Sequence, residues 1–256
     1  MRKSSLVSFL TQGSQNASLL AKWLGSAKFY LSQYRPVPIE EHLVFDNAVY
    51  PASTSSRFYK TATQLNAQTQ APSPSLPRPE PSRVIQTSLN KEFSNPLINA
   101  VVALANETAR SGYGALVFCS SRAGCERDAV LISQVVPRVE ETDVTTMGKR
   151  RELLSDLRST STGLDSVLEK TVPVGVAFHR ESQFRTWHFR AHKNTNVKDA
   201  GLTTEERDLL ATAYDQGVIK VIVATCSLAA GINMPARRVI LHGARMGADL
   251  VGPSML

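Results

Sequence analysis

Three stretches of this chain set hydroxyls, glycines and arginines directly after apolar runs: "FCSSR" at 118 to 122, "FH" at 178 followed by "AGLTTEER" at 200, and "ATCSLAAGINMPARR" at 224 to 238. Residues of these types bind anions. Ser and Thr hydroxyls donate hydrogen bonds, N–H groups at a helix start attract negative charge, and arginine supplies a cation. Taken singly, each residue also has an ordinary use. Ser120, Ser121 and Thr225 suit helix caps, Gly231 a turn, Asn233 before Met234-Pro235 a loop, and Arg237 and Arg238 a solvated surface. Binding becomes the better reading only if the fold brings the stretches to one edge.

The surrounding elements are of a kind that does so. Asn95-Pro96 reads as the N-cap and first turn of a helix carrying Leu97, Ile98, Val101, Val102 and Ala105, up to Gly112. "GALVFC" reads as a strand, and "SSRAGCERDAVLISQVV" as a serine-capped helix. Pro173 to Phe178 is a further apolar strand, and Thr203 to Gly217 a helix with the capping box Thr203-x-x-Glu206. "VIKVIVAT" and "RRVILH" are dense in Val and Ile, as buried parallel strands are. The alternation specifies an α/β domain with a parallel sheet covered by helices on both faces. In such sheets ligands gather at the carboxyl ends of the strands.

Upstream, "ASLLAKWLGSAKFY" puts Leu19, Leu20, Trp23 and Leu24 on one helical face, and "RPVPIEEHLVFDNAVYP" reads as extended chain ending in a strand. From Thr61 to Arg83 there are prolines at 72, 74, 77, 79 and 81 and hardly any large apolar residue. Such a segment cannot bury enough apolar surface to offset its ordering entropy, so it reads as a disordered insert. The expected domains are an N-terminal segment at 1–60, the Pro-rich insert at 61–83 and the α/β domain at 84–256.

A formal charge of +7 and a pI near 9.5 favour an anionic partner such as nucleic acid, although many basic proteins bind none. Cys119, Cys125 and Cys226 sit in or beside apolar runs without metal-ligand pairing, so reduced thiols and no metal site are expected. No apolar run reaches membrane-spanning length, and "MRKSSLVSFL" is too short and too polar for a signal peptide. An intracellular protein with no membrane partner is expected.

"VIVATCSLAAGINMPARRVIL" resembles motif V and its extension in superfamily 2 helicases. "ALVFCSSRAGCE" resembles motif IV of the group that contains the helicase domain of DNA polymerase theta and its stand-alone helicase relatives. "LLAKWLGSAKFYLSQYRPVPIEEH" is similar to the segment after motif III of that group. The resemblance implies a RecA-like second motor lobe of an ATP-dependent DNA helicase of the DNA-repair type, hence a nuclear protein. In that family Thr225 would hydrogen-bond a phosphate of the tracked strand, with Ser120, Ser121 and Arg122 adding contacts at a helix start. His179, Gly201 and Thr203 belong to another strand-contacting motif, while Gly231 and Asn233 face the nucleotide. The implied partners are single-stranded or branched DNA and an upstream RecA-like lobe of the same motor. ATP and Mg are implied for the full enzyme, and neither is expected to bind this chain tightly.

Several family parts are missing. The chain has no G-x-x-x-x-G-K-[ST] phosphate loop, no Asp-Glu box and no Ser-Ala-Thr motif, and it stops at "RMGADLVGPSML", where the family continues into motif VI. A fragment without ATPase activity of its own is therefore expected. A non-catalytic RecA-like module that binds nucleic acid or protein, and an RNA-directed helicase, remain as alternatives.

Family members run from Phe-His through a second His into Ala-Gly-Leu. Here Phe178-His179 and Ala200-Gly201-Leu202 are separated by Arg180 to Asp199. These residues carry Arg180, Arg185, Arg190, Lys193 and Lys198 against Glu181 and Asp199, a net +3. Three readings are open. Phe184, Trp187 and Phe189 could stack on bases in a basic DNA-contacting loop. His188 and His192 could ligate zinc, but no Cys or carboxylate completes the set. The segment could also be a translated intron, because codons for Arg180-Glu181-Ser182 accommodate a splice donor and those for Lys198-Asp199 an acceptor. Excision would then restore a single histidine in frame.

Overall fold

In the computed structural model of the chain, residues 22–23, 38–52, 80–137, 143–179, 202–225, 234–243, 245–246 and 249–250 are described. The chain divides into two units, Met1–Glu40 and Glu41–Leu256. In the first, Lys22 and Trp23 are helical, and the rest of the helix expected around Leu19 to Leu24 lies outside the described residues. The second unit carries the site.

That unit begins with a hairpin where the sequence pattern promised one strand. Strand β1 (His42–Phe45) pairs antiparallel with β2 (Ala48–Pro51) across Asp46 and Asn47, whose φ angles are 48° and 59°. Two successive left-handed residues are what a two-residue turn between antiparallel strands requires, and Asp and Asn tolerate that region best after glycine. A third strand, β3 (Arg83–Val84), adds to β2, and Ser82 N–H donates to Val49 O at 2.7 Å. Ser82 and Arg83, placed in the Pro-rich stretch by composition, thus join this sheet, and residues 61–79 lie outside the described residues. Val49 and Ile85 pack in the same apolar core as the elements that follow, so this unit starts near Glu41 and not at residue 84.

A 3-10 turn at Lys91–Phe93 leads into α1 (Pro96–Arg110), capped by Asn95 Oδ1, which accepts from Leu97 N–H at 2.9 Å. There follow β4 (Ala115–Cys119), α2 (Arg122–Ser133), α3 (Val144–Ser159), α4 (Ser166–Thr171), β5 (Val176–His179), α5 (Thr204–Asp215), β6 (Val221–Thr225) and β7 (Arg238–His242). Strands β4 to β7 form a parallel sheet of order β5-β6-β4-β7. The runs of β4, β5 and β6 are almost wholly buried, as strands covered on both faces must be, and α1 and α2 pack along the sheet. The α/β class with a parallel sheet flanked by helices is what the alternating pattern specified. Two short strands, β8 (Arg245–Met246) and β9 (Asp249–Leu250), pair antiparallel beyond β7.

The opposite, amino end of the sheet is held by Arg150 of α3. Its guanidinium is buried and donates to Val218 O and Pro173 O, each at 3.0 Å, in the loops that feed β6 and β5. Gly175, with φ of 82°, lets the guanidinium through: a Cβ there would lie 2.3 Å from one of its nitrogens.

Candidate nucleic-acid interface

Register decides what meets at the carboxyl edge. Cys119 of β4 is paired with Thr225 of β6 on one side and His242 of β7 on the other, and His179 of β5 is paired with Ala224 of β6. Neighbouring strands lie about 5 Å apart, so four strand ends span roughly 15 Å. Ser120 and Ser121 therefore emerge beside Thr225, with His179 one strand further along. Gly201, Gly231 and Asn233 lie outside the described residues.

Beyond β4, Ser121 is an exposed N-cap in extended conformation whose Oγ accepts from Gly124 N–H at 3.1 Å. Ser120 is exposed, and Arg122, the first helical residue, is half-buried. The first turn of α2 contains no acidic residue, so its oriented N–H groups keep their attraction for an anion. The start of α5 differs. Thr203 caps it in a full capping box: Thr203 N–H donates to Glu206 Oε2 at 2.6 Å, and Glu206 N–H to Thr203 Oγ1 at 3.2 Å. The Thr203 hydroxyl also donates to Glu206 Oε2 at 2.9 Å, and Thr162 Oγ1 donates to Glu206 Oε1 at 2.9 Å. Glu205 and Glu206 complement the helix end with negative charge. His179 is buried, only 3% exposed, and Thr225 is half-buried. Among the expected contacts, Ser120, Ser121, Arg122 and Thr225 thus present polar groups along one edge, whereas Thr203 and His179 are turned to local structure.

No family model matches the chain. DNA polymerase theta of Mus musculus is 31% identical over 245 residues, which is 89% of this chain and 8% of that protein. The human Helicase POLQ-like is 31% identical over 232 residues, 89% of this chain and 17% of its own length. ATP-dependent DNA helicase Hel308 of Pyrobaculum calidifontis is 29% identical over 227 residues, 88% of this chain and 24% of its own. This chain is homologous to the DNA polymerase theta, POLQ-like and Hel308 helicase proteins. It spans less than a quarter of the length of each of these three. The solved structure of the DUF1998 helicase MrfA, bound to DNA and AMPPNP, matches 62% of the chain and 16% of its own, at 14% identity with a TM-score of 0.35, too slight a likeness to argue from. Among the described residues no helix is long and apolar enough to cross a membrane.

The same edge of this helicase homologue holds a cluster that the sequence pattern did not disclose. Cys119 Sγ donates to Asp128 Oδ2 at 3.1 Å, and the same oxygen is in short contact with His242 Nδ1. Arg127 donates to the other oxygen, Oδ1, through Nε and a terminal nitrogen, both at 3.2 Å. Hydrogen bonding to Asp128, and then to Cys119, raises His242 to about 9 against the effect of burial. Burial by itself would push the Asp128 carboxyl up, but the bonds from His242 and Cys119 hold it below its ordinary value. The Cys119 thiol is driven upward, first by its contact with the Cys125 thiol and then by burial. Cys125 and Asp128 stand three apart on α2, which a helical reading of the sequence can see. His242 is 114 residues from Asp128, and only the β4–β7 pairing brings it in.

Proposed function

We propose that this chain supplies the second motor lobe of an ATP-dependent DNA helicase of the repair type, acting in the nucleus on single-stranded or branched DNA. What carries the reading is the convergence of Ser120, Ser121, Arg122 and Thr225 on one sheet edge in a chain homologous to helicases. The α2 N-terminus and the Thr225 hydroxyl hold phosphates of the tracked strand. Gly201 follows along the path, Thr203 fixes the start of α5 beside it through its capping box, and His179 positions the turn between β5 and α5. Gly231 and Asn233 face the nucleotide, which in the full motor is ATP with Mg shared with an upstream RecA-like lobe. The chain itself has no phosphate loop, so its own ATP turnover stays at background.

Fluorescence anisotropy with labelled oligothymidylate tests the edge. Binding is expected to be weak, indifferent to sequence and steeply weakened by salt, because the contacts are to phosphates. Thr225→Ala should cost about 0.5–1.5 kcal/mol, the net worth of one hydrogen bond. Salt-independent binding, or a Thr225→Ala protein with undiminished affinity, would remove this edge from the strand path.

A further inference from the structure

The donor set of Cys119, Asp128 and His242 is not used by the strand-binding edge, and it has the composition of a metal site. One thiol sulfur, one carboxylate oxygen and one imidazole nitrogen lie within 4.8 Å of one another. They come from three elements, the end of β4, the second turn of α2 and the end of β7, and the β4–β7 register fixes Cys119 beside His242. A further donor is Cys125, which is fully buried and sits three residues before Asp128 on α2, outside the group of three.

We propose that Cys119, Asp128 and His242, joined on binding by Cys125, form a closed structural zinc site at the carboxyl edge of the sheet. Two sulfurs, one nitrogen and one oxygen make a tetrahedral set of the kind Zn²⁺ takes, and soft thiolates disfavour Mg²⁺ and Ca²⁺. Arms of about 2.0–2.3 Å around a tetrahedral ion place its donor atoms about 3.3–3.8 Å apart. The trio lies within 4.8 Å already, and a turn of the Cys125 side chain would bring in the fourth ligand. Charge also balances: two thiolates and a carboxylate are offset by a divalent ion and the Arg127 guanidinium. Arg127, on the oxygen of Asp128 that does not face the cluster, does what an outer-shell partner does, fixing the carboxylate's orientation. On binding, both thiol protons pass to solvent and His242 offers the Nδ1 lone pair. Side-chain exposures of 3% for Asp128 and 9% for His242 leave no open position for substrate, so the ion is structural. It would tie α2, whose N-terminus lies on the candidate strand path, to the end of β7.

The test uses the full chain, purified without chelators from zinc-supplemented cells, with metal content measured by mass spectrometry and the metal-free protein titrated with Co²⁺. About one equivalent of zinc per chain is expected, and cobalt should give an intense thiolate-to-metal charge-transfer band with tetrahedral visible absorption. His242→Gln should lower zinc content at least tenfold, whereas Cys226→Ser and the pair His188→Gln with His192→Gln should keep it. Should His242→Gln not fold by circular dichroism, Asp128→Cys decides, because it retains a ligand and should intensify the cobalt charge-transfer band. Absence of stoichiometric zinc, zinc that survives His242→Gln, or a cobalt spectrum unmoved by Asp128→Cys would overturn the proposal and leave the cluster a hydrogen-bonded clip. These readouts do not involve DNA, so failure here and failure of the strand-binding reading are separable.

Discussion

At residue scale, Gly175 and Arg150 show how one backbone angle and one buried cation depend on each other. Gly175 sits at φ of 82°, and the guanidinium that occupies its missing Cβ position is tethered to two carbonyls and cannot swing aside without losing them. Gly175→Ala should therefore destabilise the protein by about 2–3 kcal/mol, from left-handed strain and displacement of Arg150 together. Arg150→Met keeps the aliphatic stem and should cost about 1–3 kcal/mol by leaving buried carbonyls unpaired. Because both act on one contact, the double variant should cost less than the two added, which urea unfolding at unchanged m would read. Additive losses would mean that the two residues act separately. The sequence shows Gly175 as a break before an apolar run, but nothing in it marks Arg150, whose partners lie 68 and 23 residues away.

At the scale of elements, two helix starts that look alike in sequence are electrostatically opposite. Both open on a hydroxyl cap, yet α5 has Glu205 and Glu206 in its first turn while α2 has no acid there. Ala123 is exposed in the first turn of α2. Ala123→Glu should stabilise the helix by about 0.3–1 kcal/mol through its dipole and at the same time weaken single-stranded DNA binding. Effects of opposite sign distinguish a functional helix start from a merely structural one, and unchanged affinity would take α2 off the strand path. A second element-level link joins β3, α1 and β7. Arg83 donates to both Glu107 oxygens at 2.9 and 2.7 Å, and Arg238 to one of them at 3.2 Å. The Arg83 hydrogen bond leads in holding the Glu107 carboxyl below its ordinary value. A lowered acid contributes stability above its unfolded pKa and loses it as pH falls below, so Glu107→Gln should flatten the stability loss below about pH 4.5. The carboxylate is 44% exposed, so the effect should be small and should fade in high salt. An acid limb identical to wild type would show the network to be idle. The strands β4 to β6 were legible because near-complete burial writes them as unbroken apolar runs, and β7 because Val239, Ile240 and Leu241 stand together although only Ile240 is buried. The β1–β2 hairpin was not, because its turn residues are Asp46-Asn47 and not the Asn-Gly or Asp-Gly that announces one. Helix α3 is also hard to see, since Gly148 interrupts it and its first buried side chain is the charged Arg150.

For the whole molecule, the question left by the sequence is whether Arg180 to Asp199 belongs to the strand path. These residues lie outside the described residues, but their flanks do not: His179 ends β5 in the core, and Leu202, just before the α5 cap, is buried. Both flanks are thus anchored by the domain itself. The candidate site was legible in the sequence as three separate stretches, and its unity came from strand register, which no local pattern encodes. For the long segment, which lies outside the described residues, charge must decide. Replacing Arg180 to Asp199 with one histidine removes five cations and two acids. If those cations held phosphates, the slope of log K against log salt would drop by up to about 3.5, at about 0.7 per contact on a single strand. We expect instead a change below about 1, retained binding to oligothymidylate and a higher urea midpoint, because a shorter connection loses less entropy on folding. In the genomic sequence GT should fall at the second and third bases of codon 180 and AG should end at the first base of codon 199, and spliced messages should lack the bases from that GT through that AG. A slope that falls by 3 or more, together with transcripts that retain the segment, would make it a basic DNA-binding loop.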